Sequence, residues 1–479
     1  TTGPSPQPTL APSSVAIPPQ KAGERQRLST EPWTNDPQGM QYCDSRFRAP
    51  QPDAATDLNG IVLPPVCFSS VEGRPNHVFV IGDWGGVSPG EGQVPVPADH
   101  RARQFKDNHR TFVLGADNVA QLAVAEQMMW RAERSRPDYV INVGDNFYWG
   151  GVNDKCGKPV TECNDGGGQW ERVFERIYRG VGLEHKQWLG VLGNHDFGGF
   201  TFAAGWDQSI AYTWATGGAS TGRWFTPALY WAQLVRYYGF DVDYYFVDSN
   251  VFDTSDPDAN KDHNICSRKM NPKDATCGVN GPYSVDDCTA WFSRLWSAQV
   301  QWLDRALGMS KARWQIVVTH FPPEWGKGHW KQLAFNHGID VIITGHRHTQ
   351  EVHHMQPSNF LRPTAYIVSG GGGGITSEST PSTDGNDDQY GFKDLTLTKD
   401  EILVESISHG GAIRKRTCIP RRLPLKYDSE PVQGSMCDGL DLGPQPAPER
   451  KNPDGDGDYY QPSTDFFFEA GKRRFPYLT

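Results

Sequence analysis

The chain has 479 residues, 37% of them hydrophobic and 12% aromatic, which is enough for a substantial core and for more than one average domain. A formal net charge of -10 argues against nonspecific nucleic-acid binding, because phosphate backbones attract basic surfaces. It does not exclude a small anionic substrate, since bound cations would reverse the field locally, and no run of about 18 or more apolar residues encodes a membrane span.

Residues 1–76 are rich in Pro, Ser and Ala and lack periodicity; about the first 30 are expected to be disordered alone or an arm laid on a neighbour, with Trp33, Tyr42 and Phe47 docking the later part. Because the chain starts at Thr1 and not Met, a signal segment is expected to have been removed. A first strand, Val78–Ile81, ends in Gly82-Asp83-Trp84-Gly85-Gly86, and a helix is expected from Asp117 to Arg134. A second strand, Tyr139–Val143, ends in Gly144-Asp145-Asn146-Phe147-Tyr148. Trp170, Val173, Phe174 and Ile177 fall at i, i+3, i+4 and i+7, the spacing of an amphipathic helix. A third strand, Trp188–Leu192, leads to Gly193-Asn194-His195-Asp196.

From 197 to about 295 the chain is aromatic and turn-rich, with antiparallel strands expected at Tyr230–Val235 and Asp243–Val247 and an excursion around Cys266–Cys288. A short helix is expected at Gln299–Leu307, then a strand, Trp314–Val318, ending in Thr319-His320-Phe321-Pro322-Pro323. A helix at Lys331–His337 precedes a strand at Asp340–Thr344 that ends in Gly345-His346-Arg347-His348. Tyr366–Val368 runs into Ser369 and the glycines 370–374, and strand-like runs at Leu395–Thr398 and Ile402–Ile407 close the core by about 413. Residues 414–479 read as an extended tail, basic at first and acidic at Asp454–Asp458. Those aspartates lack the full pattern of a calcium loop and its closing Glu, so they read as a solvated turn. Phe466–Phe468 and Phe475-Pro476-Tyr477 are apolar enough to dock on this chain, a partner or a second copy.

The 9 cysteines are dispersed without metal-finger spacing and are expected to form disulfides in an oxidising compartment, which points to a secreted or lumenal protein. Cys156 with Cys163 and Cys418 with Cys437 are candidate pairs; the connectivity stays open, and the odd number leaves a thiol free or paired between chains.

Five of the strand ends named above deliver donors: Asp83; Asp145 with Tyr148; Asn194 with His195; His320; His346 with His348. In strand–helix–strand folds the ligand site lies beyond the carboxyl ends of the strands, so these residues are expected to converge at one edge. Each has a plain reading by itself, as a turn, a cap or a packed ring; their recurrence directly after apolar strands sets them apart. Carboxylate, imidazole, amide and phenol without a thiolate suit first-row metals. The set exceeds what one ion needs, and would serve two ions about 3.5–4 Å apart that share a carboxylate.

Gly-Asp-Trp-Gly, Gly-Asp-Asn-Phe-Tyr, Gly-Asn-His-Asp, Val-Val-Thr-His and Gly-His-Arg-His together resemble the five motifs of calcineurin-like metallophosphoesterases. Tyr148, three positions after Asp145, narrows the resemblance to purple acid phosphatases, and Arg223-Trp224, Pro227, Tyr230, Gln301-Trp302-Leu303 and the Ser-Gly-Gly at 369 fit their small, tartrate-resistant (mammalian-type) branch. The likeness spans about 77–407 and implies an α/β fold, a four-layer α/β/β/α sandwich at 77–413 flanked by the arm 1–76 and the tail 414–479. It also implies that Asp83, Tyr148 and His348 hold Fe(III), that Asn194, His320 and His346 hold Fe(II), Zn or Mn, and that Asp145 bridges. By the same resemblance His195 orients substrate or acts as an acid, His329 is a second active-site histidine and Asp196 is an acidic helper. Glu324 and Trp325 fall where pocket residues are expected, while Phe197 stands where a histidine is often found. The implied activity is acid phosphatase action on phosphomonoesters, small or on proteins, with a metal-bound hydroxide as nucleophile. A non-catalytic scaffold of an extracellular or membrane-surface assembly is the alternative, and the intact donor set favours the enzyme.

Overall fold

The structure, a computed structural model, describes residues 43–68, 75–86, 110–259, 263–421 and 435–447. The expectations for Trp33, Tyr42, the acidic run at 454–458 and the two Phe-rich segments lie outside the described residues.

Fourteen strands are described. In chain order the first five are β1 (Ile61–Cys67), β2 (Asn76–Ile81), β3 (Tyr139–Asn142), β4 (Trp188–Gly190) and β5 (Trp224–Phe225). Next come β6 (Trp231–Tyr237), β7 (Phe240–Phe246), β8 (Trp314–Val318), β9 (Val341–Thr344) and β10 (Gln350–His353). The last four are β11 (Ala365–Ser369), β12 (Gly391–Leu397), β13 (Glu401–Ser408) and β14 (Ile413–Pro420). The helices used below are α1 (Ala120–Ser135), α2 (Trp206–Ala211), α3 (Val285–Met309) and α4 (Lys327–His337). The strands form two 7-stranded sheets, ordered β1-β6-β7-β8-β9-β11-β10 and β14-β13-β12-β2-β3-β4-β5. The motif-bearing strands β2, β3 and β4 are parallel to one another, as are β8 and β9.

Alternation along the strands explains the layers, because successive side chains point to opposite faces. Val78, Val80, Tyr139 and Ile141 of one sheet meet Val242, Tyr244, Phe246, Ile316, Val318 and Ile343 of the other in a core between the sheets. The intervening Phe79, Ile81 and Val140 face outward onto Val124, Met128 and Ala132 of α1. On the far side Tyr245, Val317, Ile342 and Val368 pack under Phe292 and Leu303 of α3 and Trp330 and Leu333 of α4. The result is the expected α/β/β/α sandwich. Each buried aliphatic or aromatic side chain contributes roughly 1.5–3 kcal/mol, and strands covered on both faces read as the continuous apolar runs seen in the sequence.

Several elements depart from expectation for physical reasons. The sheets reach past both ends of the 77–413 span. On one side β1 carries Pro64 and Pro65, which an edge strand tolerates because one of its sides needs no ladder; the register shifts between Leu63 and Val66. On the other, β14 is an edge strand studded with Arg414, Lys415 and Arg416, charges that suit an unpaired sheet edge. Helix α3 begins at Val285 and not at Gln299, because Ser284 caps it by accepting from the Asp287 N–H and two acidic residues, Asp286 and Asp287, fill its first turn. The apolar stretch around Trp170 forms only one π-helical turn, Glu171–Glu175, although Val173 and Phe174 are buried as its spacing predicts. Of the arm, Phe47 docks: its ring meets Tyr139 edge-on at 5.3 Å.

Disulfides join Cys43–Cys67, Cys156–Cys277, Cys266–Cys288 and Cys418–Cys437. The Cys156–Cys163 pairing is therefore corrected: Cys156 faces across to the excursion, and Cys163 is the unpaired thiol. Four cross-links suit an oxidising, extracellular or lumenal setting. Among the described residues, no helix is long and apolar enough to cross a membrane.

Candidate metal centre

At the carboxyl ends of β2, β3, β4, β8 and β9 the donors converge. The ligand atoms of Asp83, Asp145 and His320 lie within 4.8 Å of one another, and all three residues are buried. The Tyr148 hydroxyl is 2.7 Å from Asp145 Oδ2, 3.2 Å from Asp83 Oδ1 and 3.3 Å from His348 Nε2. His348 Nε2 is 3.5 Å from Asp83 Oδ1. On the other side, His320 Nε2 is 3.1 Å from Asn194 Oδ1 and 3.4 Å from Asp145 Oδ1. The His320 and His346 rings are 5.3 Å apart. The two oxygens of Asp145 thus face two different groups of donors.

The backbone aims these side chains. Asp83, Asp145 and His346 each follow a glycine and each take the left-handed conformation, with φ of 59°, 54° and 66°. This costs an L-residue about 1–2 kcal/mol, and such strain gathers at functional sites. Neighbouring glycines leave the room: a Cβ at Gly193 would stand 2.1 Å from Asp145 Oδ1, and one at Gly345 2.4 Å from Asp83 Oδ2. Tautomers are fixed from behind as well. His320 Nδ1 sits 2.8 Å from the Val143 carbonyl and donates to it, which leaves the Nε2 lone pair for a ligand.

Burial first, and then the Asp145 charge, push the Asp83 carboxyl well above its ordinary range. At Asp145 burial acts in the same sense but is outweighed by His320, His195 and the Tyr148 hydrogen bond, which hold it down to about 2. Burial keeps His346 and His348 neutral, His348 down to about 3. Neutral imidazoles, two carboxylates, an amide oxygen and a phenol packed at hydrogen-bond distances are a donor set that fits cations: positive charge would relieve the repulsion between Asp83 and Asp145.

The remaining expected residues separate into those near the cluster and those held elsewhere. His195 is buried, its Nδ1 2.7 Å from the Trp149 carbonyl and its ring 4.5 Å from that of Tyr148. Asp196 is turned inward: its oxygens accept from Asn146 N at 3.0 Å, Asn146 Nδ2 at 2.9 Å and Gly193 N at 2.7 Å. It ties the second and third motif loops together and is not presented to a substrate. His329 is exposed on the first turn of α4, its ring 5.8 Å from Trp296, and makes no hydrogen bond to the cluster among the described residues. The reason is that α4 starts at Lys327 with Trp330, Leu333 and Ala334 inward, which sends His329 out. Glu324 is held at the rim by the Tyr366 hydroxyl at 2.8 Å and by Arg347 at 3.3 Å. Trp325 meets His346 edge-on at 5.2 Å. Phe197 is buried against Trp206 and is core.

Two residues near the cluster escaped sequence reasoning. Asp253, in the turn after β7, has a carboxyl pushed up to about 8 by burial and the Asp145 charge, and it faces the Asn194 amide just beyond hydrogen-bond reach. His263, from the excursion, stands 6.4 Å from the His195 ring. Neither follows a core strand of the kind that marked the other donors, so no local signal pointed to them.

Comparison with known proteins adds the family. Residues 77–350, more than half of the chain, match the calcineurin-like phosphoesterase family. The chain belongs to that family. It is similar to purple acid phosphatase 7 of Arabidopsis thaliana, 26% identical over 350 residues that cover 67% of this chain and 90% of that protein. It is also similar to tartrate-resistant acid phosphatase type 5 of Homo sapiens, 23% identical over 386 residues covering 76% and 96%. Among solved structures it resembles the purple acid phosphatase PPD1 from yellow lupin (Lupinus luteus) seeds, with a TM-score of 0.40 and 15% identity over 72% of this chain and 54% of that one. GAP50, described as the anchor in the inner membrane complex of Plasmodium, gives a TM-score of 0.47 with 14% identity over 74% of this chain and 91% of that one. The matched span, 77–350, contains every strand end that gathers the donors.

Proposed function

We propose that the protein is an acid phosphatase that hydrolyses phosphomonoesters at a dinuclear metal centre. The observation that carries this reading is Asp145, whose Oδ2 lies 2.7 Å from the Tyr148 hydroxyl while its Oδ1 lies 3.4 Å from His320 Nε2. That disposition suits a bridging carboxylate. Asp83, Tyr148 and His348 would hold one ion, for which a phenolate favours Fe(III); Asn194, His320 and His346 would hold a divalent Fe, Zn or Mn. When bound, the two cations would neutralise phosphoryl oxygens and lower the pKa of a coordinated water.

The chain's own residues supply the rest. His195 donates from Nδ1 to the Trp149 carbonyl, so Nε2 is the nitrogen available to a substrate oxygen or a leaving alkoxide. Trp325 and Trp149 flank His346 and His195 and form apolar walls for the organic part of the ester. Asp196 acts from behind by fixing Asn146 and Gly193. The intact donor set supports catalysis over a purely structural role.

Metal analysis of the purified chain, its visible spectrum and p-nitrophenyl phosphate hydrolysis at acid pH test the reading together. Two metal ions per chain, a tyrosinate-to-iron band that disappears in Tyr148→Phe, and turnover are expected. A chain that takes up no metal and turns over no ester would be a scaffold.

A further inference from the structure

Five side chains at the rim of the centre close into a ring of contacts. Arg347, between His346 and His348, grips Glu351 of β10 with two nitrogens, Nε to Oε1 at 3.0 Å and Nη2 to Oε2 at 2.8 Å. Its other terminal nitrogen, Nη1, lies 3.3 Å from Oε1 of Glu324, in the loop that follows His320. The Tyr366 hydroxyl donates to the same Glu324 oxygen at 2.8 Å. The Tyr366 ring stacks on His353 at 4.3 Å, and His353 Nε2 returns to Glu351 Oε2 at 2.5 Å. Tyr366 and His353 are paired across β11 and β10, so the ring of contacts is anchored on the sheet.

An isolated exposed ion pair contributes little to a fold, but a planar guanidinium that spans two carboxylates from different segments fixes their relative position. Here those segments carry candidate ligands. Glu324 belongs to the loop of His320, and Arg347 to the turn of His346 and His348. His346 takes a left-handed backbone, with φ of 66°, a conformation that persists only where the surroundings over-determine it. They do so here: Gly345 N donates to the His320 carbonyl at 2.9 Å, the Phe321 ring lies 4.0 Å from that of His346, and Trp325 meets the same imidazole edge-on. We propose that Arg347 is a positioning residue for the metal centre: through Glu324 and Glu351 it holds the His346 turn against the His320 loop, so that both imidazoles serve one ion. This rests on the dinuclear reading above, and it gives the rim carboxylate Glu324 to the support of the centre and not to substrate.

The test uses the full chain loaded with iron and zinc and exposed to a graded chelator series, with zinc content and the visible band followed together. In Arg347→Met zinc is expected to leave at about ten-fold lower chelator strength than in wild type, as for loss of an outer partner of metal ligands. The tyrosinate band should persist, because Asp83 and Tyr148 follow β2 and β3, which contribute nothing to the ring of contacts. Arg347→Lys keeps the charge but cannot span both carboxylates, so it should resemble Arg347→Met; full recovery by lysine overturns the bridge. A lower unfolding midpoint with zinc retention equal to wild type overturns the proposal. So does a KM for p-nitrophenyl phosphate raised more than about three-fold at saturating zinc, which would make Arg347 a substrate contact. Should Arg347→Met not fold, Glu324→Ala removes only the far end of the bridge and is expected to weaken zinc retention in the same direction; unchanged retention there overturns the proposal too. A wild type that takes up no metal overturns the dinuclear reading itself, whereas a two-metal wild type matched by its Arg347 and Glu324 variants overturns only the positioning role.

Discussion

Between the sheets, the hydroxyls of Tyr237, Tyr139 and Tyr244 form a buried chain, Tyr237 donating to Tyr139 at 3.0 Å and Tyr139 to Tyr244 at 2.9 Å. At the carboxyl ends of the same sheets, Asp83, Asp145 and His320 are just as buried, with Tyr148, His346 and His348 half-buried beside them, and the two carboxylates are crowded into one cluster. The tyrosine chain satisfies its hydroxyls within the protein; at the edge the Asn194 amide nitrogen is buried without a partner, the Asp83 and Asp145 charges repel, and three residues are held in left-handed backbone. Polar groups that the fold alone cannot satisfy mark where a ligand is needed. The comparison can be broken by substitutions that should act on one region and spare the other.

The largest effect is expected at the edge. Asp145→Asn removes the carboxylate shared by both donor groups, and kcat/KM should fall at least about a thousand-fold, ~4 kcal/mol in activation free energy. Its unfolding midpoint in chelator should be retained. Activity loss accompanied by global unfolding would mean that the edge is structural. The converse substitution is Trp231→Ala, which removes a ring stacked on Phe246 at 4.0 Å in the inter-sheet core. It should cost about 3–5 kcal/mol in chemical denaturation and leave kcat/KM of the folded fraction unchanged.

This division also explains what could be read from the sequence. The centre was legible because each donor sits within a few residues of a buried apolar strand, as with Gly144-Asp145 after Tyr139–Asn142. Local patterns carried the central strands and most of the sandwich for the same reason. Edge strands were not legible: Pro64 and Pro65 in β1 and the charges of β14 are what an edge permits and what a central strand forbids. Long-range choices were hidden too. Cys156 bonds a partner 121 positions away, and His263 reaches the centre through a fold-back that only the assembled excursion defines. His329 differs from the other histidines: its spacing from His320 was legible, while its exposure on the first turn of α4 follows from where that helix begins.

Lys393 is a buried polar group intermediate between the two regions. It lies on β12, on the face shared by alternation with Leu395 and Leu397, and its Nζ donates to Ser406 Oγ at 2.8 Å. Burial drives its pKa down to about 7. The unfolded value is about 10.4, so between these limits the unfolded chain binds more protons and stability rises with pH. Below about 7 both states are charged and the folded state carries the full penalty of the buried ammonium; above the unfolded value the penalty is gone. Wild type should therefore gain up to ~2 kcal/mol relative to Lys393→Met between pH 7 and 9 in denaturant titrations. Parallel pH profiles for the two proteins would place the lysine in contact with solvent.

The smallest effect sharpens the comparison most, because it places one chemical change in both regions. Burial raises the pKa of Tyr139 and of Tyr148 well above the ordinary phenol value, so each is a neutral hydroxyl in the protein alone. In Tyr139→Phe the Tyr237 hydroxyl loses its acceptor and the Tyr244 hydroxyl its donor, a loss of about 1–2 kcal/mol. Thermal unfolding should shift by a few degrees while metal content, spectrum and turnover stay as they are. In Tyr148→Phe the order should reverse, because the hydroxyl removed there faces Asp83, Asp145 and His348 and not a satisfied chain. Stability should hold or increase while the spectrum changes. If both variants moved stability alone, the crowding of donors at the sheet edge would be a packing feature of the sandwich, and the metal reading of Tyr148 would be lost before that of the histidines.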